Sequence, residues 1–277
     1  MTRSYKLILL GTLYLAQGLP YGLFSTAVPA LLRDSGLSLK QIASTSILYL
    51  PWLLKFMVAP FVDHVGTRRQ WILPMQAGAV ITALLLAQGD FRSELVVVFI
   101  GLFMFNVFAA VQDIATDGLG VRLLTTSERG LANGLQVGTY RLGMIIGSGL
   151  LLSIFASVGW PGMLYAMAAA LALTSLPVLF LREAPVAAQG EPPKLRTLMM
   201  GWWKRLRVRG MLTLLGLVVL YKFGDTLVAS LTAQMMIDHG YELDQIGLIK
   251  GVVGSVMGLS GAAAGGWLAY RIGRRLT

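Results

Sequence analysis

The sequence predicts an all-α polytopic membrane protein. Of its 277 residues, 56% are hydrophobic and only 13% are charged, whereas an ordinary soluble domain has roughly 45–50% and about 25%. The apolar residues gather into eight long runs. A helix that rises about 1.5 Å per residue needs about 20 such residues to cross a hydrocarbon core of about 30 Å. Length and composition together therefore indicate membrane-spanning helices.

The eight predicted spans follow one another through mostly short connections. The first run follows Arg3 and Lys6, as the apolar part of a signal peptide would. It continues well beyond Ala16, however, and seven further runs come after it, so we predict a retained first helix. The predicted spans cover residues 7–32, 41–61, 71–88, 95–118, 131–157, 162–181, 211–236 and 245–269.

Residues 184–209 form the one linker that the composition indicates. Its first half contains Pro185, Pro192 and Pro193. Its second half is either a short amphipathic helix on the cytoplasmic leaflet or a solvated charge run, because it places two tryptophans beside four basic residues: Trp202, Trp203, Lys204, Arg205, Arg207 and Arg209. The linker separates an N-terminal six-helix bundle, residues 1–183, from an incomplete C-terminal bundle of two spans, residues 210–277.

The net charge of +10 follows from where the basic residues lie. With the N-terminus in the cytoplasm, most of the 23 Lys and Arg residues flank the spans on the cytoplasmic side, and the opposite side keeps only Arg33, Lys40 and Arg92. The positive-inside rule therefore predicts a cytoplasmic N-terminus. A basic balance of this kind indicates attraction to an anionic lipid bilayer and argues against nucleic acid as a partner.

The second half of the chain repeats the first. LLRDSGLSLKQI (31–42) aligns with MMIDHGYELDQI (235–246), and DHVGTRR (63–69) aligns with YRIGRR (270–275). Parallel repeats of six helices resemble the major facilitator plan, in which two bundles rock about a central site. The loop after the second span also carries the Asp, Gly and basic pair of the superfamily signature G-x-L-x-D-R-x-G-R-R. That plan has twelve spans where eight are present here, so we expect either a truncated reading frame or a partner that supplies the missing C-terminal half.

Ionisable residues inside the predicted spans are candidate functional residues, because each costs at least ~2.5–3.5 kcal/mol at mid-depth. Arg141 lies roughly 15 Å into the fifth span and is either a substrate or coupling cation or the structural partner of a carboxylate. Lys222 and Asp225 share a helical face and form either a proton-coupling pair or a static ion pair. Lys55 and Lys250 either snorkel or line the cavity. The balance of charges suits an anionic or zwitterionic solute.

Asp113 and Asp117 lie four residues apart near the cytoplasmic end of the fourth run. We expect Asp117 to hold one conformation shut through an arginine, whereas Asp113 is either a gate partner or a cavity carboxylate. Gly143 and Gly147 have the small-xxx-small spacing that permits close helix packing. The predicted cytoplasmic gate comprises charged residues at the inner ends of the spans: Asp63, Arg68, Arg69, Asp117 and Arg122.

Five blocks of this sequence resemble the AmpG-type branch of the major facilitator superfamily: LYLAQGLPYGLF (13–24), LPWLLKFMVAPFVD (50–63), VQDIATDG (111–118), SERGLANGLQVGTYRLGM (127–144) and LYKFGDTLVASLT (220–232). The branch contains muropeptide permeases, acetyl-CoA transporters and single-component siderophore permeases. The resemblance implies proton-coupled import of a bulky polar solute through the inner membrane of a bacterium, without a cofactor. It places on the family's motif positions Gln112, Asp113, Asp117, Tyr140, Arg141, Lys222 and Asp225.

Three functions remain open at this point. Gly118 and Leu119 stand where muropeptide permeases carry an aromatic residue. This departure, together with the opening LYLAQGLPYG (13–22), favours a siderophore permease slightly over a muropeptide permease. A non-transporting remnant is the third alternative. An enzyme is not expected, because the chain has no cysteine and no G-x-S-x-G or H-E-x-x-H motif. His64 and His239 cannot form a metal site alone.

Overall fold

The computed structural model describes residues 2–89, 95–125, 128–183, 195–254, 256–258, 260–261 and 264. Helices contain most of these residues, and no β-strand occurs among them, so the predicted all-α class is confirmed. The helices are α1 (Arg3–Gly22), α2 (Val28–Asp34), α3 (Leu39–Ser44), α4 (Leu50–His64), α5 (Arg68–Leu86), α6 (Leu95–Leu123), α7 (Arg129–Ile145), α8 (Leu151–Leu179), α9 (Leu195–Leu206), α10 (Met211–Asp238) and α11 (Leu243–Ile246).

Short π and 3₁₀ segments join several of these helices into longer rods. The segment Leu23–Ala27 is π-helical and links α1 to α2, and the 3₁₀ segment Thr45–Tyr49 links α3 to α4. Two further π segments, Ile146–Leu150 and Gly247–Val253, follow α7 and α11. Such segments widen or tighten one turn and so re-aim the side chains next to them.

Within the described part of the chain, four stretches are long and apolar enough to cross a membrane: Arg3–Asp34, Leu39–His64, Leu95–Leu123 and Gly134–Leu179. The last stretch bends at Gly159, whose φ of 72° belongs to the left-handed region that favours glycine. It therefore contains both the fifth and the sixth predicted spans. Helices α5 and α10 occupy the third and seventh, and much of the eighth lies outside the described residues. These helices are those of an integral membrane protein.

The N-terminal helices pack into a bundle in which α1 contacts α7 and α5 contacts both α6 and α8. Its core is apolar and closed to solvent, with Leu19, Leu102 and Leu164 at most 1% exposed. Helix α10 differs, because Tyr221 and Phe223 on it are 73% and 67% exposed. An apolar surface of this extent is suited to lipid or to further helices.

Helix α1 lies so close to α7 and to the π segment after it that several glycines at the contact leave no room for side chains. A Cβ atom at Gly18 would lie 2.1 Å from the carbonyl oxygen of Tyr140, and one at Gly143 would lie 2.3 Å from that of Leu15. At Gly147 the corresponding distance, to the Leu19 oxygen, is 2.0 Å. The predicted packing role of Gly143 and Gly147 is confirmed. The contact also fixes where the side chains of α1 lie relative to those of α7.

The structure describes only part of the repeated signature and only part of the linker. In the first signature loop, Gly66 has a φ of 69° and Thr67 caps α5 by accepting a hydrogen bond from the Gln70 N–H at 3.2 Å. The second copy, residues 270–275, lies outside the described residues. In the linker, residues 184–194 also lie outside them, whereas the basic and aromatic second half begins as helix α9.

Candidate functional site

An ion pair joins the second and fourth spans inside the bundle. The Nζ atom of Lys55 on α4 donates to the Asp113 carboxylate on α6. The Asp113 side chain is 11% exposed, whereas that of Lys55 is 37% exposed. Close by, the Trp52 indole donates to the Asn106 side-chain oxygen at 3.0 Å, and the Lys55 ammonium lies 5.5 Å from the Trp52 ring centroid. Asp113 thus has a defined cationic partner on a neighbouring span.

Gln112, which precedes Asp113, is buried. It is 3% exposed, and its Nε2 atom has no hydrogen-bond partner among the described residues. The hydroxyl of Thr116, one turn further along α6, is also buried without a hydrogen-bond partner among the described residues. These two polar groups share a helix face at i, i+4, so α6 carries a polar strip into the bundle.

Four aromatic side chains form a cluster, here called the tyrosine cluster: Tyr21, Phe24, Tyr49 and Tyr140. Ring centroids are 5.5 Å apart for Tyr21 and Phe24, 5.9 Å for Tyr21 and Tyr140, and 5.2 Å for Phe24 and Tyr49. The members come from α1, the π segment after it, the 3₁₀ segment and α7. Of the four, only Tyr140 was expected from the sequence, because the family resemblance placed it on a motif position.

Arg141 adjoins the tyrosine cluster on α7. It is partly exposed and makes no ion pair with any described residue. A Cβ atom at Gly258 would lie 3.2 Å from one of its terminal nitrogens, so the guanidinium packs against that glycine. The π segment Leu23–Ala27, which carries Phe24, contacts α10 as well as α1 and the π segment Ile146–Leu150. The cluster therefore lies where the first bundle meets α10.

Lys222 and Asp225 form the ion pair that their spacing predicted. The Nζ atom lies 3.4 Å from the carboxylate oxygen, and the two side chains are 65% and 60% exposed. The Lys222 ammonium also lies 5.8 Å from the Tyr221 ring centroid. Both charges of this pair remain accessible from the surface of α10.

Arg68 of the predicted gate is buried against α6. It is 3% exposed and donates to the Val62 carbonyl oxygen and to the Asp63 carboxylate. A Cβ atom at Gly118 would lie 2.8 Å from the central guanidinium carbon of Arg68. The absence of a side chain at Gly118 is what lets this arginine sit against α6.

Arg69 and Arg122, the other predicted gate arginines, meet at Glu183. The Arg69 backbone N–H donates to one carboxylate oxygen at 3.2 Å, and the Arg122 guanidinium donates to the other at 3.4 Å. Arg69 also donates to the Leu181 carbonyl oxygen at 3.3 Å. Glu183 thereby ties α5 and α6 to the end of α8. Sequence reasoning missed it, although an acidic residue among basic loop residues was an available signal.

Asp117 differs from the expectation of an arginine partner. Its Oδ1 atom accepts a hydrogen bond from the Tyr14 hydroxyl at 3.3 Å, because Arg68 and Arg122 are engaged by other carboxylates. Tyr14 and Asp117 line a cavity of about 490 Å³ together with Gly120, Val121 and Gln136, among others. The structure thus brings the predicted gate residues to one end of the bundle and pairs Arg68 with Asp63 directly. The other three are bound by Tyr14 and Glu183, which were not predicted.

A further ion pair, also unpredicted, lies where α2 meets α10. Arg33 donates to one Asp238 oxygen from Nε at 2.8 Å and from a terminal nitrogen at 2.5 Å. The sequence marked Asp238 only as the repeat counterpart of Asp34. Sequence separation hides such a pair, since its members are 205 residues apart.

Comparison with known proteins gives one family and several relatives. A family model described as Major Facilitator Superfamily matches residues 10–277. The chain is 29% identical over 279 residues to an anhydromuropeptide permease of Escherichia coli K12, covering 98% of this chain and 56% of the relative. It is 26% identical over 266 residues to an uncharacterized protein of Haemophilus influenzae, covering 92% and 63%. A putative transporter of Rickettsia felis named AmpG 4 is 22% identical over 290 residues, covering 98% and 69%. The chain thus spans between about half and two thirds of these relatives.

Proposed function

The chain belongs to the major facilitator superfamily, and on this premise we propose that it serves the proton-coupled import of a bulky anionic solute of the muropeptide type. One observation carries the choice of an anionic solute. Arg141 lies in a spanning segment and makes no ion pair with any described residue. A cation inside a membrane protein is costly without a counter-charge, and a substrate carboxylate supplies one with bidentate geometry.

Muropeptide is favoured over siderophore for two reasons. The Escherichia coli relative is named an anhydromuropeptide permease, and none of the relatives reported above is named for a siderophore. The sequence argument for a siderophore rested on Gly118 and Leu119, together with the opening LYLAQGLPYG (13–22). Gly118 has no room for a side chain because of the Arg68 guanidinium, and Leu119 is fully buried in the core. Packing accounts for both residues, so they carry no information about the solute.

The Lys55 and Asp113 pair is the proposed proton-coupling device. Protonation of a carboxylate removes its attraction for a neighbouring cation, so a proton on Asp113 would release Lys55. This pair lies within the first bundle, between two spans, whereas the Lys222 and Asp225 pair lies on one exposed helix face. We assign proton coupling to Lys55 and Asp113. To Lys222 and Asp225 we assign an electrostatic role beside Arg141.

The orientation and domain division remain part of the proposal. Lys6, Arg68, Arg69 and Arg122 supply the basic end of the bundle, which supports a cytoplasmic N-terminus in the inner membrane of a bacterium. Residues 1–183 and 210–277 then belong to two bundles joined by a cytoplasmic linker. The exposed apolar face of α10 is suited to further helices of the second bundle, from the same chain or from a partner.

The proposed solute is tested by uptake of a radiolabelled anhydromuropeptide into proteoliposomes that contain the native protein and carry an imposed proton gradient. We expect uptake that a protonophore abolishes and that Arg141→Gln reduces at least tenfold, while Lys40→Gln, an exposed cation on α3, leaves it unchanged. Uptake of a ferric siderophore instead would favour the siderophore alternative. Uptake of neither solute would favour a non-transporting remnant.

The proposed coupling residue needs its own experiment. Asp113→Asn keeps the size of the side chain but cannot bind and release a proton. We expect this variant to exchange labelled for unlabelled solute across the membrane at a rate near that of the wild type, yet to lose acceleration by the proton gradient. Asp225→Asn is the matched control, and gradient-driven uptake should survive in it. The assignment is wrong if Asp225→Asn loses acceleration by the proton gradient while Asp113→Asn keeps it.

A further inference from the structure

We propose that the hydroxyl groups of Tyr21, Tyr49 and Tyr140 form a hydrogen-bonding shelf for a sugar ring, beside Arg141, which takes a carboxylate of the same solute. This inference rests on the proposed function, because an anhydromuropeptide combines an amino sugar with a peptide that carries carboxylates. It names three specificity-determining hydroxyls, two of which lie on residues that no sequence pattern marked.

The rings of the tyrosine cluster hold one another in place. Phe24 is 3% exposed and contacts both Tyr21 and Tyr49 edge-on, at interplanar angles of 68° and 76°. Tyr21 contacts Tyr140 at 48°, and the close approach of α1 and α7 at Gly18 and Gly143 fixes the backbones behind these two rings. Rings held this way present their hydroxyls in set positions, which lowers the entropy cost of binding a ligand.

The hydroxyls of the cluster differ from those of three other tyrosines in spanning segments. Tyr5 donates to the Pro177 carbonyl oxygen at 2.8 Å, Tyr14 donates to Asp117 at 3.3 Å, and Tyr165 accepts from Gln88 at 2.8 Å. No described residue forms a hydrogen bond with the hydroxyl of Tyr21, Tyr49 or Tyr140. All three tyrosines are partly exposed, and none of their hydroxyls is among the buried polar atoms that lack a partner in the described part of the chain. The three hydroxyls therefore remain open to a partner that arrives from outside the protein.

The chemistry of the cluster matches a sugar ring. A phenol both donates and accepts, as does each sugar hydroxyl, so contacts form without a fixed polarity. Tyrosine also combines an apolar ring with a polar tip, which complements the C–H groups and hydroxyls of a pyranose. The guanidinium of Arg141, the next residue of α7, is then available to a carboxylate on the peptide part of the same solute. Hydroxyls and cation thus complement a solute that combines a sugar with a peptide carrying carboxylates.

The test uses tyrosine-to-phenylalanine substitutions, which keep the rings and their packing and remove only the hydroxyls. The native protein in lipid nanodiscs is titrated with three probes: the complete anhydromuropeptide, its anhydro-N-acetylmuramic acid part alone, and its peptide alone. The variants are Tyr21→Phe, Tyr49→Phe and Tyr140→Phe, and Tyr165→Phe is the control because its hydroxyl bonds to Gln88 at the bundle surface. Thermal unfolding of each variant verifies that it is folded.

We expect each cluster variant to bind the sugar probe about three- to tenfold more weakly, with peptide binding and unfolding temperature unchanged. The triple variant should lose sugar binding altogether. Sugar binding of wild-type strength in the triple variant would overturn the shelf while leaving muropeptide binding by the wild type intact. Failure of the wild-type protein to bind either the muropeptide or its sugar part would overturn both the shelf and the proposed function.

Discussion

Arg33 and Asp238 tie the first repeat to the second through one carboxylate oxygen. Two nitrogens of the Arg33 guanidinium donate to Oδ1 of Asp238, and a third donates to the Leu37 carbonyl oxygen at 3.1 Å. The two side chains are 25% and 37% exposed. Asp238 corresponds to Asp34 in the repeat. The ion pair therefore links the two repeats, and among the described residues no second ion pair occurs at the equivalent position, Asp34. It fastens α10 onto α2.

Neutralising either member should loosen this fastening. We expect Arg33→Gln and Asp238→Asn each to lower the free energy of unfolding, and a double-mutant cycle to give a coupling of about 1 kcal/mol, because the pair is only partly shielded from water. Thermal unfolding in detergent measures the cycle, with Asp34→Asn as the control at the equivalent repeat position. Additive effects of the two substitutions would mean that the pair contributes no coupling energy.

The sequence predicted local relationships well and distant ones poorly. Lys222 and Asp225 were predicted as a pair because three residues on a helix form less than one turn, and the structure confirms the contact. Lys55 and Asp113 are 58 residues apart, so no periodicity could have matched them. The same holds for Arg122 and Glu183, which meet only after two further spans have folded back.

Glycines show the same difference: the sequence predicted a close helix contact but not the partner helix. The spacing of Gly143 and Gly147 indicated a close helix approach, yet Gly18 and Gly22, their counterparts on α1, lacked any signal of which helix they face.

The gate shows why charge alone misleads. Asp117 has basic residues nearby in the sequence, but packing against Gly118 directs Arg68 toward Asp63, and Asp117 accepts from Tyr14 instead.

The α1–α7 contact predicts which glycines tolerate alanine. We expect Gly18→Ala and Gly143→Ala to destabilise the protein by about 1–3 kcal/mol or more, because the new Cβ atom would overlap backbone atoms of the facing helix. Gly138→Ala on α7 is the matched control, since a Cβ there meets no described atom within 4 Å. Unfolding temperatures compare the three variants. Equal stability of all three would contradict the close approach.

The loop between α6 and α7 is held by Glu128. Its carboxylate accepts from the Thr125 backbone N–H and the Thr125 hydroxyl, both at 3.0 Å, and from Lys6 at 3.3 Å. The Thr125 backbone hydrogen bond, followed by the bond from the Thr125 hydroxyl and by Lys6, lowers the pKa of Glu128 below its ordinary value of 4.5. This contact fastens the N-terminal end of α1 to the loop through one ionised group.

A lowered pKa fixes the direction of the pH dependence. The stabilisation from Glu128 is fully present above the ordinary glutamate range and is lost as the pH falls through the lowered pKa. We therefore expect Glu128→Gln to reduce the unfolding temperature at neutral pH and to differ less from the wild type at about pH 3, below the ordinary range. Lys6→Gln should keep most of the pH dependence of the wild type, because both Thr125 hydrogen bonds remain. A Glu128→Gln variant that differs from the wild type equally at both pH values would show that ionisation of Glu128 has no part in the contact.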